Sequence, residues 1–153
     1  MKLMAFLLSL HALAAVVWVG GMFFAYLILR PAAGQLEAPP RLILWRGVFA
    51  RFFPWVWVSL ALLLISGYGM VFGALGGFAG AGVHVHIMQA LGILMMLIFA
   101  HLFFAPWRRF RQSVDGQDYP QAGKELSSIR RIVAINLVLG LLVVIVGSGG
   151  RYW

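Results

Sequence analysis

The sequence predicts an all-α membrane protein, a bundle of four transmembrane helices, and three observations carry that prediction. The first is apolar content. Of 153 residues, 63% are hydrophobic and only 10% charged, more apolar surface than a soluble domain of this length can hide. The second is segmentation. Apolar runs lie at 4–29, 54–74, 84–105 and 131–149, each close to the ~20 residues that a ~30 Å hydrocarbon core requires. The third is the placement of charge. Ten of the twelve basic residues lie in segments 30–53 and 106–131, leaving only Lys2 and Arg151 elsewhere. The positive-inside rule then puts both connecting loops in the cytoplasm and both termini outside. The expected molecule is one integral domain over 1–153, in two tandem helical hairpins. Its net charge of +8 follows this topology and contact with anionic membrane lipid, so no nucleic-acid partner is implied.

The first helix begins like a signal peptide, with Lys2 and a run of leucines, but its apolar stretch is too long. It ends at Arg30-Pro31 without a small-residue cleavage site, and is expected to be retained. His11, Ala15, Trp18 and Met22 fall on one face at i, i+4, i+7 and i+11. Gly20 and Gly21 lie beside that face, where small residues let a helix or a flat cofactor approach closely. The second helix ends in Ser66-Gly67-Tyr68-Gly69. The third opens with His84, His86 and Met88 and carries His101 near its other end, with His86, Ala90, Ile93 and Leu97 making a face equivalent to that of the first helix. The fourth holds Asn136 and closes in glycines before Arg151.

The chain also carries a trace of internal repetition. Phe24-Ala25-Tyr26-Leu-Ile-Leu-Arg-Pro31 resembles Phe99-Ala100-His101-Leu-Phe-Phe-Ala-Pro106 at an offset of 75, which also carries His11 onto His86. After a loop five residues longer, Arg51 corresponds to Arg131, and Ser66–Gly69 to Val146–Gly149. Parallel repeats of this kind are related by an axis along the membrane normal. Both histidines lie 20 residues before a helix-ending proline, so a rise of ~1.5 Å per residue puts them at one depth.

An ionisable group at membrane depth usually faces a bundle interior and finds a partner there. Imidazole is the commonest metal ligand, so His11 and His86 are candidate axial ligands of one haem iron clamped between two helices. The plainer reading is that each histidine bonds a neighbouring carbonyl or serine. His84, His86 and Met88 offer nitrogen and thioether donors that suit copper, although a helix cannot point all three one way. His101 sits some fifteen residues beyond His86, ~22 Å away along the helix. It is expected to be a hydrogen-bonded structural residue near Asn136, Tyr26 or Arg51, with a second ligand set or a quinone contact as the alternative. Arg151 is placed to meet a haem propionate or to anchor the interface with Tyr152 and Trp153. No span holds a carboxylate for a proton relay or cation transport, and there are no cysteines. Neither a phosphate-binding glycine loop nor a serine–histidine–aspartate set can be assembled.

His11-Ala-Leu-Ala-Ala-Val-Val-Trp18-Val-Gly20-Gly21-Met-Phe-Phe resembles the first helix of the CopD-type membrane family, whose relatives include the HemJ-type protoporphyrinogen oxidases. His84-Val85-His86, the Arg51 position and Gly150-Arg151-Tyr152-Trp153 fit the same likeness. The resemblance implies a four-helix inner-membrane protein, handling copper in the first branch and holding b-type haem in the second. The lysine of the HemJ-type His-Val-Lys reads His86 here, which argues against porphyrinogen oxidation and supplies a second imidazole. The leading expectation is therefore a bis-histidine haem b protein for electron transfer, on His11 and His86, with Trp18, Gly20, Gly21 and Arg151 around the macrocycle. Its partners would be quinone or a periplasmic redox protein, and a homo-oligomer is open. The alternatives are a copper-binding or copper-transport protein and a cofactor-free assembly partner.

Overall fold

The computed structural model describes residues 2–152, with the side chains of Ala74 and Arg151 outside that description. Its elements are α1 (Lys2–Phe23), α2 (Arg30–Ala33), α3 (Ala38–Ala74), α4 (Val83–Phe104), α5 (Pro106–Asp115) and α6 (Tyr119–Gly149). A π-helical turn, Phe24–Leu29, joins α1 to α2 without a break. It is marked by the Arg30 N–H donating to the Ala25 carbonyl five residues back, one turn before Pro31, whose missing N–H would otherwise break the ladder.

Four of these rods are long and apolar enough to cross a membrane, and no strand occurs among the described residues. With the family assignment below, they make this a multi-pass membrane protein. Most large outward-facing residues are apolar, among them Phe6, Val16, Leu27, Ile65, Phe72 and Leu97. Hydrocarbon tolerates such faces, because every helix satisfies its own backbone.

The segments expected as loops, 30–53 and 106–130, are mostly helix. Real turns occupy only 34–37 and 116–118. At 37 residues α3 is ~55 Å long by helical rise, well beyond the hydrocarbon thickness. The physical reason is amphipathicity. α5 buries Trp107, Phe110 and Val114 on one face against Ala122, Leu126 and Ile129 of α6, while Arg108, Arg109 and Arg111 stay outside. Asp118 starts α6 by accepting the Gln121 N–H at 3.2 Å, an N-cap bond.

Pairing follows the chain. α1 packs chiefly on α3, and α4–α5 chiefly on α6, giving two hairpins. An aromatic seam closes them at the arginine-rich end. Phe53 meets Phe99 at 5.5 Å and Trp107 at 5.2 Å, Trp57 meets Phe103 at 5.4 Å, and Phe49 stacks on Phe53 at 5.1 Å. Arg46 of α3 adds a two-bond ion pair to Asp115 of α5, at 2.7 and 2.9 Å. The opposite end, which carries both termini, has smaller residues and glycines at its helix contacts. Its connector between α3 and α4 turns on Gly76 and Gly77, whose φ of 69° and 90° exclude most side chains.

Candidate metal centre at the terminus end

His11 sits half-buried between α1 and α3. Its Nδ1 lies 2.9 Å from the Ser66 Oγ, and the Ser66 hydroxyl itself donates to the Leu62 carbonyl. With that proton committed, Ser66 accepts from His11, so the Nδ1–H tautomer follows from the network. The Nε2 lone pair, the nitrogen able to bind a metal, remains free. The approach of the two helices rests on Gly67, where a Cβ would stand 3.3 Å from the His11 Cε1. Of the two readings of His11, ligand or bonded residue, the serine bond is therefore present. It leaves ligation by Nε2 open.

Ser66 is the residue that sequence reasoning missed. It is fully buried and 55 positions away in the chain. The available signal was a serine in an apolar span at the depth of a histidine.

The second hairpin is built differently. His86 is exposed, its ring 6.0 Å from that of Phe78 in the connector. The face expected to look inward, His86, Ala90, Ile93 and Leu97, is exposed throughout, which corrects the expected equivalence with the His11 face. α6 approaches α4 on another side, so the inward residues are His84 and Met88, one turn apart. Gly150 packs directly on the His84 side chain, and Gly147 on Met88, where a Cβ would lie 3.0 Å from Cε and 3.3 Å from Sδ. His84, expected as a solvated interfacial residue, is half-buried and turns its ring back over Gly82.

The other candidate residues divide between packing and surface. Trp18 is 2% exposed and meets Phe99 edge-on at 6.3 Å, as a core residue. Gly21 lets α3 come close, since a Cβ there would stand 2.2 Å from the Phe52 ring, whereas Gly20 faces open space. Asn136 is buried and donates to the Met95 carbonyl at 3.2 Å, while His101 is exposed. The structure gives these two no bond to each other. The side chain of Arg151 lies outside the described residues.

Among the described residues no three His, Asp or Glu side chains converge as a ready metal cage. What the terminus end offers is a pair of soft-to-intermediate donors, His84 and Met88, on one face of α4, and a separately anchored imidazole on α1.

No curated protein and no solved structure matches the chain. Residues 46–149, from the first third of α3 to the end of α6, match the family model described as Copper resistance protein D, and the chain belongs to that family.

Proposed function

We propose that this protein handles copper at the terminus end of its bundle, as cargo held by His84 and Met88. The observation that carries the reading is their placement: an imidazole and a thioether one helical turn apart, on the same α4 face, against Gly150 just past α6 and Gly147 within it, in a chain of the copper-resistance family. Nitrogen and thioether donors suit Cu(I). His11 supports the same chemistry from the first hairpin, since Ser66 holds the ring and leaves Nε2 free, the arrangement common for metal-binding histidines. The charge bias along the chain supports a periplasmic position for this end in a bacterial inner membrane.

The test is a competition titration of the detergent-purified full chain with Cu(I) and a chelator. Binding is expected to weaken at least about tenfold in His84→Ala/Met88→Leu and to persist in His86→Ala. Equal affinity in all variants overturns the assignment. A red protein with a Soret band, lost in both His11→Ala and His86→Ala, overturns copper in favour of haem b on those two residues.

A further inference from the structure

At the opposite end, where the π turn, α2, the start of α3 and α6 meet, an open cleft of about 560 Å3 is lined by Tyr26, Arg30, Gly34, Arg41 and Arg130 among others. Arg30 lies over the Tyr26 ring at 4.8 Å, and the charges of Arg30 and Arg41 both bear unfavourably on Arg130. Three guanidinium groups thus converge from three helices, at a cost in mutual repulsion.

Among the described residues no carboxylate pairs with them. Of the four acidic residues, Asp115 is paired with Arg46 and Glu125 with Arg109, Asp118 caps α6, and Glu37 forms no ion pair among the described residues. Arg41 reaches only the Leu36 carbonyl, at 3.3 Å. The Nε groups of both Arg41 and Arg130 are withdrawn from solvent without a partner, although leaving a buried donor unpaired is unfavourable. Topology explains why arginines sit at this end of the chain. It does not explain why three of them share one cleft, when Arg108, Arg111 and Arg131 are spread over the surface.

We propose that this cleft binds a phosphate group. Guanidinium forks match phosphate oxygens in pairs, a dianion or diester would answer the uncompensated charge, and the volume falls within the usual range for small-ligand sites. The cleft begins at Tyr26 and Leu27, where the apolar stretch of the first helix gives way to Arg30. A phospholipid headgroup and a free phosphate compound therefore share the chemistry it recognises.

Two probes separate these sources, both on the delipidated full chain. Native mass spectrometry with added phosphatidylglycerol reads the lipid. A thermal shift with inorganic phosphate against chloride at equal ionic strength reads the free ion. For the probe that binds, Arg41→Gln/Arg130→Gln is expected to weaken the interaction at least about tenfold and Arg108→Gln to leave it unchanged. Adducts with phosphatidylglycerol alone assign a lipid headgroup, and a shift with inorganic phosphate alone assigns a soluble phosphate compound. Should the double variant fail to fold, Arg41→Gln alone serves, its side chain holding only the Leu36 carbonyl. Binding that is absent for both probes, or equal in the wild type and the cleft variants, overturns the proposal.

Discussion

The two hairpins start from the same pattern and resolve it in different ways. In the first, His11 turns between the helices and finds Ser66. In the second, the residue at the matching offset, His86, is exposed beside Phe78, and its inward neighbours His84 and Met88 pack on α6 instead. The facing helices differ at the matching position. Ser66 corresponds to Val146, whose side chain can accept no hydrogen bond. A histidine turned onto Val146 would bury an unsatisfied polar group at a cost of about 1–3 kcal/mol, whereas the helix rotation seen here buries a thioether that asks for no partner. The hydroxyl that holds His11 in the first half has no counterpart at the matching position of the second.

Whether the halves stand alone is tested most severely at the seam that joins them. Phe53 is 2% exposed and touches rings from both α4 and α5. Phe53→Ala should lower stability by about 3–5 kcal/mol, read as a loss of folded yield and a large drop in the thermal midpoint in detergent. A change below about 1 kcal/mol would mean that each hairpin holds itself and the seam is incidental.

A middle-sized effect probes the histidines directly. Ser66→Ala removes the acceptor of the His11 Nδ1–H and should destabilise by about 1–3 kcal/mol. The converse change, Val146→Ser, would stabilise the protein only if His86 could rotate inward to use the new hydroxyl. With His86 on the exposed face of α4, no gain is expected. A higher melting temperature for Val146→Ser, lost again in Val146→Ser/His86→Ala, would restore the equivalence of the halves.

The smallest effect concerns the ion pair tying α3 to α5. The Arg46 guanidinium, through its hydrogen bonds and then its charge, holds the Asp115 carboxyl below its ordinary range. A depressed carboxylate contributes stability above its unfolded-state value and loses it as pH falls through the folded one. The pair is largely exposed, so it should contribute less than about 1 kcal/mol. An acid titration of the wild type should therefore show a slight extra loss of stability below the usual carboxylate range, and Asp115→Asn should not. Identical acid profiles would show the pair to be energetically silent.

Particular residues show how far the sequence could be read. The four spans were legible because apolar length is set by the membrane and not by neighbours. The inward face of α1 was legible as well: Trp18 and Met22 are buried where the spacing put them. The corresponding face of α4 was not, since α4 is apolar on nearly every side and lipid welcomes the same residues as a core does. Periodicity therefore carried no direction, and His86 was turned inward when His84 and Met88 are. The helical extensions beyond the membrane were hidden by counting only apolar runs, although Trp107, Phe110 and Val114 mark an amphipathic helix in the segment expected as a loop.

Residue order alone suffices for four helices long and apolar enough to cross a membrane and for most basic residues at one end, because burial in hydrocarbon and charge placement act on composition and order. Folding settled which histidine meets Ser66, which α4 face meets Gly147 and Gly150, and that Arg30, Arg41 and Arg130 share one cleft. Those outcomes depend on helix rotation, and in a medium as apolar as the side chains themselves rotation is set by close packing and by a few polar partners far apart in the chain.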